Sequence, residues 1–206
     1  MLRFAGLSKS FGRKSVFRSA AGSLAAGTYA LQGANGSGKS TLLGLLCGAI
    51  EPDAGAIWID GVDMIKDPLT ARRRLAYAPD ESSVYPFMSG RDLLDFVAMA
   101  RSCRVDHSTL NMAEEFGLTP HLATSFAAMS LGTQKKFLLC AAWIGGTPLM
   151  LLDEPSNGLD LRTRDLLAQR IAERPGLTLF ASHDSAFVNS CGARVIRLDE
   201  FIASAA

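Results

Sequence analysis

Gly33-Ala34-Asn35-Gly36-Ser37-Gly38-Lys39-Ser40-Thr41 has the residue types and spacing that bind phosphate. It satisfies G-x-x-x-x-G-K-[ST], in which successive backbone N–H groups wrap a nucleotide's phosphates. The glycines allow φ > 0 and a close approach of backbone to an anion. The N–H nest and the start of the following helix supply positive potential. Lys39 is expected to reach the β- and γ-phosphates, and the Ser40 hydroxyl to hold Mg²⁺. A second cluster lies far along the chain, where Leu149-Met150-Leu151-Leu152 runs into Asp153-Glu154-Pro155. An apolar strand delivering two carboxylates at its C-terminal end places them where α/β sheets bind ligands. Asp153 suits the Mg²⁺ sphere, directly or through water. Glu154 suits general-base polarisation of an attacking water.

These groups need elements to position them. Residues 29–32 read as a short buried strand entering the glycine loop, and 40–47 as the helix leaving it. Upstream, 3–7 and 15–17 read as short strands separated by a Ser/Gly/Lys loop. Residues 56–60 and 75–78 read as further strands, with a turn at 51–55. Apolar spacing becomes helical over 89–116, and Ser130 is placed to cap another helix reaching about residue 143. The last third alternates: strand 149–152, helix 161–173, strand 178–181, helix 185–190, strand 194–198. That alternation predicts an α/β fold with a mainly parallel sheet and helices on both faces. A helical subdomain inserted at about 85–145 and a small N-terminal β subdomain complete the expectation of one domain over 1–206.

Composition narrows the function classes. Of 206 residues, 48% are hydrophobic, enough for an ample core. A formal net charge of +1 supplies no basic field for nucleic acid, and Arg72-Arg73-Arg74 reads as a solvated helix face. Cys47, Cys103, Cys140 and Cys191 form no C-x-x-C pair and read as reduced core residues of a cytosolic protein. The N-terminus lacks a sustained apolar stretch. The apolar run 137–152 is broken at Gly145-Gly146-Thr147-Pro148, so neither half is long enough to cross a bilayer.

The two clusters, with three further segments in the same order, resemble the nucleotide-binding subunit of ATP-binding cassette transporters, and the resemblance covers essentially the whole chain. It implies a P-loop NTPase fold, binding of ATP and Mg²⁺, and Mg²⁺-dependent ATP hydrolysis. Phe11 matches the aromatic that stacks on adenine. Asp153 to Asp160 matches the magnesium aspartate, the catalytic glutamate and the D-loop, and His183 matches the switch histidine on the γ-phosphate. The family's Leu-Ser-Gly-Gly-Gln signature corresponds to Met129-Ser130-Leu131-Gly132-Thr133-Gln134, which retains the serine and second glycine, so Ser130 and Gly132 carry the implied contact to an ATP held by a second subunit. Asp80, in Tyr77-Ala78-Pro79-Asp80-Glu81, stands where the family commonly has glutamine. It is expected to reach Mg²⁺ through water, adding a carboxylate near Asp153 and Glu154.

The resemblance further implies a head-to-tail homodimer, a separate transmembrane permease docking near Asp80, and a location on the cytoplasmic face of the cell membrane. Tyr85, Phe87 and Met88 either line that docking surface or pack within the helical subdomain. The short stretch after residue 198 leaves little room for a regulatory domain, which points to export. Two other readings remain open: a soluble cassette ATPase remodelling a protein complex, such as iron–sulfur assembly, and a weakly hydrolysing nucleotide-binding regulator. The interval between the two clusters has no sustained heptads, and the chain carries one cassette and no metal-spaced cysteines.

Overall fold

The computed structural model describes residues 1–81 and 83–203 of the chain. Its first sheet is antiparallel, in the order β2-β1-β4-β5, from β1 (Leu2–Phe11), β2 (Lys14–Leu24), β4 (Ala54–Ile59) and β5 (Val62–Asp63). The second has the order β6-β7-β8-β3-β9, from β3 (Gly27–Gln32), β6 (Leu75–Ala78), β7 (Leu149–Asp153), β8 (Leu177–Ala181) and β9 (Arg194–Arg197), and its pairings are parallel.

The parallel sheet divides the core by simple alternation. Every residue of β7 and β8 is buried. Met150, Leu152 and Phe180 face one apolar cluster, and Leu149, Leu151, Leu177 and Leu179 face the other. Strands covered on both faces therefore read as continuous apolar runs in the sequence. The first cluster is built with α3 (Gly90–Ala100), α4 (His107–Glu115), α5 (Leu131–Trp143) and α6 (Leu161–Glu173). The second joins α1 (Lys39–Leu46) to the antiparallel sheet. The remaining helices are α2 (Pro68–Arg73), α7 (Ser185–Ser190) and α8 (Leu198–Ala203). Between β6 and β7 the described chain is helical apart from loops and one isolated bridge, Ser89 to Ser125. No described helix is long and apolar enough to cross a membrane.

Several expectations need correction. The segment 8–11 is not a loop: β1 runs through it to Phe11, pairs with Lys14, and β2 continues to Leu24. The register shifts after Phe4, Leu7 and Lys9 break the period-two pattern by which a strand is read from sequence. The helical stretch 89–116 is two helices. The first ends at Ala100 with Arg101 as its cap, beyond which Ser102 takes φ 55, and Asp106 caps the second by accepting from the Thr109 N–H at 2.8 Å. Of helix α2 only the basic last turn at Arg72-Arg73 was anticipated, and α8 was not. Asp67 caps α2 with Pro68 as its first residue, and α8 is held by Phe201, whose ring meets Phe4 edge-on at 5.3 Å above Gly22. Cys103 is exposed, unlike the other three cysteines, because it lies in the connection after α3. Burial pushes the Cys140 and Cys191 thiols up to about 12, consistent with inert core positions.

Candidate functional site

Parallel pairing carries the chemistry-bearing residues to one edge of the sheet. Strands β6, β7, β8 and β3 are neighbours in that order and end at Ala78, Asp153, Ala181 and Gln32. The segments just beyond hold Asp80, Glu154, His183 and the glycine loop, so four segments distant in sequence meet on one rim.

The glycine loop is shaped by its neighbours. Gly38 has φ 111, and a Cβ there would stand 2.7 Å from Val16 Cγ1 and 3.0 Å from Phe17 Cζ. The position is closed to any side chain both by backbone conformation and by packing on β2. Gly38 also caps α1 with no side-chain acceptor, whereas α2 through α7 are each capped by an Asp or Ser. The first-turn N–H groups of α1 thus lack a side-chain partner and face the loop. Lys39 is buried, and its Nζ donates to the carbonyls of Gly33 at 2.9 Å and Ala34 at 3.4 Å.

Asp153 is 4% exposed, and its Oδ1 is one of two buried side-chain oxygens without a hydrogen-bond partner among the described residues; the other is Ser37 Oγ. The Ser40 hydroxyl lies near enough to the Asp153 carboxyl to favour its charged form. Burial pushes the Asp153 carboxyl above its ordinary range, with Asp80 and Glu154 adding to the rise and Ser40 and Lys135 opposing it. An orphaned carboxylate oxygen beside a hydroxyl is a donor set of the hard-oxygen kind that magnesium takes, so these residues fit that ion. Thr41, next along α1, is half-buried.

Glu154 carries backbone strain. Its φ is 42, and its N–H is held by the Ala181 carbonyl at 3.0 Å. This turn brings its carboxylate to His183, with Nδ1 to Oε2 at 3.1 Å. The imidazole itself is largely exposed to solvent. A glutamate positioned against a histidine at the mouth of a phosphate cradle can accept a proton from water there.

The other residues singled out in the sequence lie on other elements. Ser130 caps α5, accepting from the Thr133 N–H at 3.2 Å and sharing a 2.8 Å hydrogen bond with the Thr133 hydroxyl. Leu131, in place of the family's first glycine, is 82% exposed. Gly132 packs on the D-loop, where a Cβ would come within 2.8 Å of the Gly158 carbonyl oxygen. Gln134 turns inward, donating to the carbonyl of Phe126 at 2.7 Å. Phe11 is 51% exposed at the end of β1, with the Lys9 ammonium 5.4 Å from the ring centre. A solvent-facing ring on a strand end is free to stack on a planar ligand. Tyr85 and Phe87 are exposed and stacked on each other at 5.5 Å, so they do not pack into the subdomain.

One residue had no part in the sequence reading. Lys135, in α5, is 4% exposed, and its Nζ bonds Asp80 Oδ1 at 3.1 Å and the Asp153 carbonyl at 2.9 Å. Burial pulls this ammonium below its ordinary value, with Asp80 as the main opposing influence. The sequence gives no local sign of it, since Lys135 is one of two adjacent lysines following Thr133-Gln134 in the first half of α5, where a polar stretch reads as a solvated face. A cleft of about 410 Å³ opens beside this pair, between Asp80 and Glu81 on one side and Gly132 and Gly158 on the other.

Comparison with known proteins matches the chain to a family described as ABC transporter over residues 22–157. The ATP-binding protein Uup of Caulobacter vibrioides is 31% identical over 94% of this chain, which spans 31% of that protein's length. The cytochrome c biogenesis ATP-binding export protein CcmA of Mannheimia succiniciproducens is 28% identical, over 92% of this chain and 90% of its own. A solved structure of an ATP binding subunit of an ABC transporter superposes with a TM-score of 0.83 and 28% identity, covering 97% of this chain and 91% of the other.

Proposed function

The chain belongs to the ABC transporter family, and from that premise we propose that it is an ATP-hydrolysing subunit that powers a separate membrane permease. The observation that carries this reading is the rim on which the glycine loop, Asp153, Glu154 and His183 converge. Lys39 releases the Gly33 and Ala34 carbonyls and turns to the β- and γ-phosphates, which take up the loop's N–H groups. Ser40 and Asp153, with Asp80 nearby, would hold Mg²⁺, which would supply neutralisation of charge on the transferred phosphoryl group. Phe11 stacks on the adenine. Glu154 accepts the proton of the attacking water, while His183 steadies Glu154 and the γ-phosphate.

Each subunit of a two-fold homodimer offers Ser130 and Gly132 to the ATP held on its partner's glycine loop. Contacts to the γ-phosphate close the pair, and its loss after hydrolysis reopens it, a population shift driven by differential contacts. Gly132→Ala is expected to displace the Asn157–Gly158 turn or the start of α5. Turnover should fall at least about tenfold through misplacement of that contact, with the ATP affinity of the isolated subunit unchanged. Equal turnover in the variant would remove the packing argument.

In this reading the permease docks at Tyr85, Phe87 and Met88 beside the Asp80 loop, with the subunit peripheral on the cytoplasmic face of the membrane, and the exposure of the stacked Tyr85–Phe87 pair supports it. Export is the proposed direction, supported by the likeness to CcmA over nearly the full length of both chains. The test is affinity purification from mildly solubilised native membranes, with companions identified by mass spectrometry. A stoichiometric multi-spanning protein is expected. Recovery in soluble form with protein partners alone would overturn the transport reading in favour of a soluble remodelling ATPase, a reading compatible with the broad match to Uup.

A further inference from the structure

We propose that Lys135 is a positioning residue of the site: its ammonium clamps the carboxyl end of β7, and therefore Asp153, to the Pro79–Asp80 loop. The inference rests on the assignment of Asp153 to the magnesium site. Four acceptors surround the Lys135 Nζ: the carbonyls of Asp153 at 2.9 Å, Pro79 at 3.0 Å and Asp80 at 3.2 Å, and Asp80 Oδ1 at 3.1 Å. An ammonium has three protons and no acceptor, so this geometry saturates it. The acceptors belong to segments 55 and 18 residues away along the chain, and the lysine itself stands on the helix that Ser130 caps. One cation thus joins the magnesium carboxylate's backbone, the loop after β6 and the helix that presents Ser130 and Gly132.

Charge explains why the lysine and aspartate belong together. A buried ammonium is retained only when it is paired and fully hydrogen-bonded. Asp80 supplies the paired charge, and in return Lys135 offsets a carboxylate that would otherwise stand uncompensated near Asp153 and Glu154. An aspartate at position 80 and a lysine at position 135 are therefore two halves of one device.

The pair is tested by a cycle of Asp80→Asn, Lys135→Met and the double variant, each compared with the unaltered protein in melting temperature and in Mn²⁺ binding by electron paramagnetic resonance in the presence of ATP. Asp80→Asn strands a buried ammonium, and Lys135→Met leaves the Pro79, Asp80 and Asp153 carbonyls without their donor, so each single variant should melt more than about 5 °C lower. The double variant should melt no lower than Lys135→Met alone, because the loss of Asp80 costs stability only while the ammonium is buried beside it. Lys135→Met should weaken Mn²⁺ binding by about 10-fold or more, the size expected when a group orienting a metal ligand is removed. ATP binding measured without divalent ion, on the glycine loop alone, should stay within twofold. Additive single and double effects would overturn the pairing, as would unchanged Mn²⁺ affinity in Lys135→Met. Should Lys135→Met fail to fold, Lys135→Gln, which keeps hydrogen-bonding capacity without the charge, takes its place with the same expectations. Asp153→Asn separates the two layers of the argument. Mn²⁺ binding insensitive to it sinks the assignment of Asp153, whereas binding lost in Asp153→Asn yet unmoved in Lys135→Met sinks the role of Lys135 alone.

Discussion

Glu154→Gln is expected to lower ATP turnover by about 10³-fold, within the range a positioned general base contributes, while leaving ATP binding intact. The two side chains have the same shape, and glutamine can keep the hydrogen bond that Glu154 Oε2 makes with His183 Nδ1 at 3.1 Å. The left-handed backbone at φ 42 and the bond from the Glu154 N–H to the Ala181 carbonyl are indifferent to the exchange. What disappears is the capacity to take a proton. Without hydrolysis the γ-phosphate stays in place, and the subunits should accumulate as an ATP-bound dimer visible by size-exclusion chromatography with light scattering. Single-turnover hydrolysis by the variant at the unaltered rate would remove Glu154 from the role of base. Normal binding with no persistent dimer would instead count against ATP-driven closure.

Lys39→Ala is expected to weaken ATP binding by about 100-fold, the size set by losing charge-assisted hydrogen bonds to phosphate in a partly desolvated cradle. Lys39 is buried and spends its protons on the Gly33 and Ala34 carbonyls. Removing it therefore leaves the loop short of a donor without exposing a new apolar surface. The fold should survive, since α1 is anchored by Leu42, Leu43, Leu45 and Leu46 in the core beneath the sheet. Equilibrium titration with a fluorescent ATP analogue measures the change, and circular dichroism checks the fold. Affinity within a few-fold of the unaltered protein would mean that the N–H nest alone carries the phosphates.

The parallel core was legible because its signals are local. Apolar runs such as 149–152, the capping residue Ser130, and the obligate glycines of the phosphate loop each act within a few neighbours. Helix 161–173 and helix 185–190 were read to their observed ends for this reason. The N-terminal hairpin was read too short because its bulges destroy the alternation that identifies a strand. Helix α8 escaped notice because contact with Phe4 and the space over Gly22 hold it against the antiparallel sheet, and neither is a property of 198–203 itself.

By itself the sequence determined which chemistry the chain carries: a phosphate cradle, two carboxylates at a strand end, and a histidine at another. Their types and local spacing follow from what a phosphate and a water molecule require. Only the tertiary structure decided how they stand to one another. It set β6, β7, β8 and β3 side by side and brought His183 to Glu154. It also buried Lys135 against Asp80 and Asp153, whose partners lie 55 and 18 residues away. Contacts across such separations are set by strand order and by the desolvation of a charge, and no pattern along the chain records either.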